Sequence, residues 1–588
     1  MDTAAFLRTR NKDSLARVRM LAFLLLVVMS AAAACPAKRD APATAASAPA
    51  GTFARQPAGK RVALLYTASV QGYVEPCGCT ADPLGGTARL AAAVAAARQA
   101  YGERVVFLDG GDLLFERSDD TAAADACQAE ARADLLVASY ARAGLAATVL
   151  GPLDDVRGPS FRDARLAKHK VTSLGVNPPR ALVDGAPASA GVLKQLGPAQ
   201  LGLTAFRVDA PADLDTARAL LVAEVARLRR EGADAVVVVA QATLAITRRV
   251  VADVQGIDVV IQGRAPGEVP VAAERLSLPS GEPGALIVAS GQQAQHLGVL
   301  EFVLDARTDG QALELDDRTQ QRQRRTQLLA LRIAELTKQV DAVPAGPRAQ
   351  FLRERLAAAQ GELAAANDVD AEAPLLVPHV RARSLPLPRG FPEEPAALAA
   401  LDAYSAQIPG LVATCEASLT CPEPAAGART FLGADACKAC HASAHSFWAS
   451  QSVQLPAKDK DGKAIVRSSA HARAWDTLVA DNKESDRSCV ACHSVGFAAP
   501  GGACKTSDVV KRGLQGVQCE SCHGAGSTHA ASANKNDIVG APSEAQCRAC
   551  HHVPHIPTTA SFVFSEQLKK ITGPGHGAPV VAPAGRAP

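Results

Sequence analysis

Cys437-Lys-Ala-Cys-His441, Cys489-Val-Ala-Cys-His493, Cys519-Glu-Ser-Cys-His523 and Cys547-Arg-Ala-Cys-His551 are four copies of one pentapeptide, gathered near the end of a 588-residue chain. Two thiols three residues apart can form thioethers to the two vinyl groups of one haem, and the imidazole that follows then falls beneath the iron as its proximal ligand. One such pentapeptide alone could equally be a redox dithiol or half of a zinc site. Four of them, with no zinc-type spacing between, read as c-type haem attachment sites. The expected cofactors are four haem c, held by Cys437, Cys440, Cys489, Cys492, Cys519, Cys522, Cys547 and Cys550, with His441, His493, His523 and His551 as proximal iron ligands.

The three methionines of the chain are Met1, Met20 and Met29, all in a segment expected to be removed. No mature thioether is then left to ligate iron from the distal side. Histidine, a less usual group, or nothing must take that place, and His/His ligation without the potential-raising methionine points to low reduction potentials. Six further histidines accompany the motifs: His445, His471, His529, His552, His555 and His576. The strings Ser469-Ala-His471-Ala, Gly526-Ser-Thr-His529 and Gly575-His576-Gly577 make His471, His529 and His576 the candidate distal ligands.

The same region, from the Cys437 motif through Ser446-Phe-Trp448, Ser469-Ala-His471-Ala-Arg-Ala-Trp475 and Cys489-Val-Ala-Cys-His-Ser-Val-Gly-Phe497 to Gly516-Val-Gln-Cys-Glu-Ser-Cys-His-Gly-Ala-Gly526, resembles the tetrahaem c-type cytochromes of bacterial ammonia oxidation. That resemblance implies stacked haem pairs, mostly bis-histidine, sometimes with one iron left open. Carried over, it makes His471 and His529 distal ligands. Residues 454–467 look like an insertion relative to that family.

Residues 1–34 have the anatomy of an export signal: Arg8, Arg10, Lys12, Arg17 and Arg19 precede the apolar run 20–29, and small residues lead to Cys35. The run is short for a membrane span. A small-residue run ending in cysteine, followed by a Pro/Ala/Ser-rich linker over 35–59, resembles a bacterial lipoprotein processing site, so Cys35 is expected to carry a lipid that anchors the protein to a membrane. Ala32 departs from that pattern, which usually has a larger aliphatic residue there. The expected location is the periplasm or cell envelope, where disulfides persist. Lys+Arg 62 against Asp+Glu 59 leaves a formal charge of +3, and no basic stripe interleaved with aromatics suggests nucleic acid.

Fifteen cysteines less eight for haem and one for lipid leave Cys77, Cys79, Cys127, Cys415, Cys421 and Cys504. Spacing does not decide their connectivity. A Cys415–Cys421 bridge would staple the loop ahead of the cytochrome region, and a bridge from Cys77 or Cys79 to Cys127 would brace the Cys77-Gly-Cys79 loop. A metal or redox site is the alternative for that loop.

Over residues 60–306, short β-rich apolar runs at 61–67, 104–109, 233–240, 257–261 and 285–289 alternate with helical stretches at 87–99, 125–144 and 212–231. This is the pattern of an α/β domain with a buried sheet, whose ligand chemistry belongs to loops at the strand carboxyl ends. Those loops resemble, in order, the five metal-binding loops of calcineurin-like phosphoesterases of the secreted 5′-nucleotidase branch: Tyr66-Thr67 to Gly72, Asp109-Gly-Gly-Asp112, Leu150-Gly151, Val239-Ala-Gln241 and Ile261-Gln-Gly263. Their ligands differ from the family pattern. Thr67-Ala-Ser69-Val-Gln71 lacks its aspartate and histidine, Gly151-Pro-Leu-Asp154 its asparagine and histidine, and Gln241 and Arg264 stand where histidines would. Only Asp112 survives. Two divalent cations about 3.5–4 Å apart need several anionic or imidazole donors, so no divalent metal is expected in this domain. Asp109, Asp154 and Asp155 are the other carboxylates at hand for a rearranged single-metal site.

Residues 316–367 carry the stripes Leu329-Ile333-Leu336-Val340 and Leu352-Leu356-Ala359-Leu363 about Val343-Pro-Ala-Gly-Pro347, an antiparallel helical hairpin that could pair two copies into a dimer. Residues 368–430 read as a Pro-rich linker, 431–577 as the cytochrome module and 578–588 as a disordered tail. The fold class expected is therefore multidomain: a metallophosphoesterase-like α/β domain, a helical hairpin and a mainly helical, irregular multihaem cytochrome c domain. The chain reads as an electron carrier between redox partner proteins rather than an enzyme. The alternatives are a metal-dependent phosphoesterase with an appended cytochrome, and a reductase of small nitrogen or sulfur oxyanions at an open haem.

Overall fold

The computed structural model describes residues 52–53 and 58–576, apart from 78–83, 117–122, 178–187, 265–270, 279–280, 282, 309–310, 368–374, 422, 452, 459–463 and 552–561. The expected signal segment, Cys35, most of residues 35–59, Cys79, the Cys77 side chain, His552, His555 and residues 577–588 lie outside the described residues.

The apolar runs form the strands expected of them. Arg61–Thr67 is buried beyond its first residue and lies at the middle of an eight-stranded sheet, parallel to Val105–Asp109 and antiparallel to His296–Val303. Ala235–Gln241 is buried throughout and lies in a six-stranded sheet, parallel to both Ala199–Arg207 and Val259–Gln262. The two sheets face each other across a core that includes Leu64, Leu203, Val237, Ile261 and Phe302. Burying each such side chain contributes roughly 1.5–3 kcal/mol. Helices cover the outer faces. Thr87–Tyr101 and Ala123–Arg142 lie over the larger sheet, and Leu214–Arg230 and Leu244–Val251 over the smaller. Parallel neighbours within each sheet bring their carboxyl ends to one edge, where the five sequence-marked loops meet.

The hairpin is present as helices Arg318–Ala342 and Pro347–Asn367, closed by Leu336, Leu352 and Ala359 with Ile333, Val340 and Leu356 against them. Its root is tied to the sheet by the buried Asp316 carboxylate, which takes N–H bonds from Arg318 at 2.8 Å and Arg381 at 2.6 Å.

The linker expected over 368–430 is corrected. Among the described residues its prolines flank elements, except Pro409 inside the helix Pro395–Ala417. His379–Pro386 is a full strand, antiparallel to His296–Val303 over eight register pairs. Helix Pro395–Ala417 starts on a proline, where a missing amide costs nothing, and Glu394 caps the amides of Ala396 and Ala397. By length and composition it could cross a membrane. In this fold Leu401, Ile408 and Val412 are buried with residues of helices Thr87–Tyr101 and Ala123–Arg142.

The disulfide expectations are corrected as well. Cys415 bonds Cys127 and Cys421 bonds Cys504, rather than Cys415 bonding Cys421. Cys415 lies on the buried side of its helix, towards helix Ala123–Arg142, whereas Cys421 has left the helix beyond Ser418 and meets the cytochrome region. With Cys127 taken, neither Cys77 nor Cys79 can bridge to it.

Candidate haem-binding site and the phosphoesterase-like loops

Each CxxCH motif folds as about one turn of helix, which places both cysteines on one face with the histidine beside them. The His441 amide donates to the Cys437 carbonyl at 2.9 Å and the His551 amide to that of Cys547 at 2.8 Å. Arg487–His493 and Cys519–His523 are themselves helical, the first capped by Asp486 through the Ser488 amide at 3.1 Å. Ser543 and Gln546 form a capping box ahead of the fourth motif.

The third motif holds the group together. Buried Glu520, the first residue between its cysteines, accepts the amides of Leu432, Gly433 and Gly526 at 3.0, 2.8 and 2.7 Å. Gln518 accepts the Ala434 amide at 2.5 Å, and the Trp448 indole donates to the Val517 carbonyl at 2.9 Å. These bonds set the first motif against the third. The Cys437 and Cys519 thiols come within hydrogen-bonding reach, and Cys522 lies beside Cys547 and Cys550 of the fourth motif. None of the eight motif cysteines takes part in either disulfide.

Two of the expected distal histidines face proximal ones. His441 and His529 have ring centres 6.1 Å apart with planes 31° from parallel, and His471 and His551 are 5.9 Å apart at 59°. Two imidazoles that each reach a metal at about 2 Å, with about 1 Å more from nitrogen to ring centre, stand about 6 Å apart across it. The rings thus leave room for one iron per pair. His576 instead meets the Phe447 ring edge at 6.1 Å, and no ring contact joins it to His493 or His523 among the described residues. His445 is buried beside Trp448, with its Nε2 lacking a hydrogen-bond partner and 3.7 Å from Asp435.

Backbone carbonyls orient several of these rings. Nδ1–H of His493 donates to Ala474 O at 2.6 Å, that of His523 to Val539 O at 2.7 Å and that of His529 to Asn534 O at 2.9 Å. A proton fixed on Nδ1 leaves the Nε2 lone pair for metal. Burial also lowers the pKa of His471, His493 and His551 below the ordinary value, which favours the neutral, ligating form. A further sign of fit is the size of the apolar core. Among the described residues of this region it amounts to little more than Trp475, Leu478, Val490, Val495, Ala503, Val509 and Leu514. That is small for a module of this length and consistent with apolar porphyrin faces supplying the remainder.

At the sheet edges, the carboxylates are engaged within the protein. Asp109 accepts from Thr67 at 2.9 Å, Thr148 at 2.8 Å and the Gly111 amide at 2.9 Å, and burial pushes its pKa up to about 6. Asp154 accepts the amides of Asp112, Leu113, Leu114 and Gly151 at 2.8–2.9 Å. Asp112 accepts the Leu153 amide at 2.9 Å. Asp155 is paired with Arg162 and, at 2.8 Å, with Arg207. Gln241 donates to Gly110 O at 2.7 Å and Arg264 pairs with Asp209 at 3.1 Å. Burial raises the Asp112 pKa while Arg264 and Arg207 draw it down, so guanidinium charge stands beside this carboxylate. Ser69, Gln71 and Asp112 hold left-handed backbone at φ 48°, 56° and 53°, a strained geometry for such residues. Among the described residues, the group close enough to share an ion is Cys421, Cys504 and Asp508, where both sulfurs are spent in a disulfide. The donor set at the loops does not fit a pair of divalent cations.

Four CxxCH turns and two facing imidazole pairs lie in a region joined to a two-sheet α/β domain, an arrangement that fits a multihaem c-type cytochrome module. Residues 436–524 match the family described as cytochrome c554 and c-prime. Cytochrome c-554 of Nitrosomonas europaea is 26% identical over 212 aligned positions, taking in 28% of this chain and 82% of that protein. Among solved structures, a 5′-nucleotidase precursor from Thermus thermophilus is similar at 16% identity and TM-score 0.39, covering 59% of each chain. The sulfate thiohydrolase SoxB from the same organism is similar at 14% identity and TM-score 0.38, covering 60% of this chain and 61% of its own. The chain thus spans about three fifths of the length of these structural relatives.

Proposed function

We propose that this chain is an exported c-type cytochrome that carries electrons through four covalently attached haems, with the α/β domain as a scaffold that has lost phosphoesterase chemistry. The observation that carries the reading is the facing of His441 with His529 and of His471 with His551 at the spacing of a shared iron. Bound haem c supplies a one-electron ferric/ferrous couple. The chain's own part is to anchor it through the motif cysteines, to hold imidazole on both faces and to fix ring orientation through carbonyls 474, 534 and 539. Imidazole in place of thioether supports low potentials. The internal bonding of Asp109, Asp112 and Asp154 supports the loss of metal-dependent hydrolysis. Redox proteins are the partners this chemistry fits, and lipid on Cys35 would keep the module at a membrane surface.

A spectroscopic redox titration of the holoprotein tests the reading. Four one-electron components at low potential, with low-spin spectra, are expected. Colourless protein, or a sulfur-to-iron charge-transfer band, would overturn it. The scaffold part is tested with nucleotides and added manganese or zinc: turnover abolished by Asp112→Asn would restore the hydrolase reading.

A further inference from the structure

The α/β domain grips the second attachment motif at two points. Glu75, at the end of the first loop, sets both carboxylate oxygens on the Lys483 ammonium at 2.7 and 2.6 Å, and Ser405 donates to the same carboxylate at 3.3 Å. Gln128 donates Nε2–H to Asp486 at 2.6 Å and accepts the Arg487 amide at 3.3 Å. Asp486 caps the helix Arg487–His493, so the turn bearing Cys489, Cys492 and His493 is held from the α/β side. Gln128 follows Cys127, whose bond to Cys415 pins this side of the domain to helix Pro395–Ala417. On the other side of the motif, Glu416 neutralises the buried Arg487 at 2.5 Å and accepts the Thr506 amide at 2.9 Å.

Both cations next to this motif are therefore matched by carboxylates, one of which belongs to the α/β domain. Burial pulls the Lys483 pKa down, but Glu75 and Asp486 more than reverse it, so the ammonium stays charged; Cys489 lies within its field. A charge this close and this poorly solvated acts at an effective dielectric far below that of water. An unmatched ammonium at the edge of a haem would favour the less positive ferrous state and raise the potential.

We propose that Glu75 makes the α/β domain the electrostatic regulator of the second haem, the one attached at Cys489 and Cys492, holding its potential down by neutralising Lys483. The inference rests on the haem reading above. Glu75 acts through Lys483 and is a tuning residue, not a ligand. Glu75→Gln keeps the side chain's shape and removes its charge. In a spectroscopic redox titration of full-length holoprotein, one of the four components is expected to move positive while three stay in place. Lys483→Gln is expected to move the same component negative, and the double variant Glu75→Gln with Lys483→Gln to return it close to the wild-type value. A component that does not move, an equal shift of all four, or a double variant that fails to revert overturns the inference. Wild-type protein without haem overturns the functional reading and this inference together. Wild-type protein that titrates in four components beside an unmoved Glu75→Gln variant overturns this inference alone.

Discussion

His529→Ala separates a shared-iron geometry from a chance contact of two rings. The 6.1 Å between His441 and His529 leaves room for one metal and no more, and His529 has a carbonyl, Asn534 O, on its other nitrogen. Removing the ring would therefore take one imidazole from one of the four irons proposed for the motifs. About a quarter of the ferric low-spin signal is expected to become high-spin, since axial-ligand identity is what sets the spin and potential of such sites. The cost to the fold is small. His529 is half-buried in the short helix Ser527–Ser532, and its one hydrogen bond is worth about 1 kcal/mol. His471→Ala should convert a second quarter, and the double variant about half, because the two pairs share no residue. Electron paramagnetic resonance of the ferric protein counts the fractions directly, and added imidazole should restore the low-spin form. A His529→Ala spectrum identical to wild type would refute the pairing. Conversion of half the signal by His529→Ala alone would show that the ring serves more than one iron.

Replacing Cys127 and Cys415 with serine opens a loop of 288 residues, and the chain-entropy relation puts the loss at about 5.7 kcal/mol at most; thermal unfolding with and without reductant should show a larger difference in wild type than in the double variant, which keeps Cys421–Cys504. Glu520→Ala leaves the Leu432, Gly433 and Gly526 amides without their acceptor, at about 1–3 kcal/mol for each buried orphan, and mass spectrometry of the product should show reduced haem loading. The pH dependence of stability has one clear source in Asp316. Burial pushes its carboxyl up, but Arg318 and Arg381 more than reverse this and hold it well below the usual range. Because the folded value is depressed, its contribution is complete above the unfolded value of about 3.9 and is lost as pH falls below it. Denaturant midpoints of wild type and Asp316→Asn should therefore differ at pH 7, still differ at pH 3, and converge only as pH falls through the depressed folded value.

Much of the α/β domain was legible because its signals are local. Buried parallel strands read as continuous apolar runs, and the strands Arg61–Thr67 and Ala235–Gln241 fall where those runs lie. The hairpin was legible for the same reason, since its stripes repeat within each helix. The segment 368–430 is not legible as strand and helix because its proline content is also that of a linker. Whether a proline breaks a strand depends on where its missing amide points, and that is set by the neighbouring strand His296–Val303 rather than by the segment itself.

The sequence by itself determined the four CxxCH motifs, whose spacing within five residues is what proposes eight thioether cysteines and four proximal histidines. It also determined that the three methionines stand at or before position 29 and that the five loops lack most of the phosphoesterase donor pattern. Only the tertiary structure decided which histidine faces which, how Cys127, Cys415, Cys421 and Cys504 pair, and that an α/β loop lies beside the second motif. Those partners are separated by up to 408 residues. Spacing along the chain carries no information about contacts whose geometry depends on how separately folded layers pack.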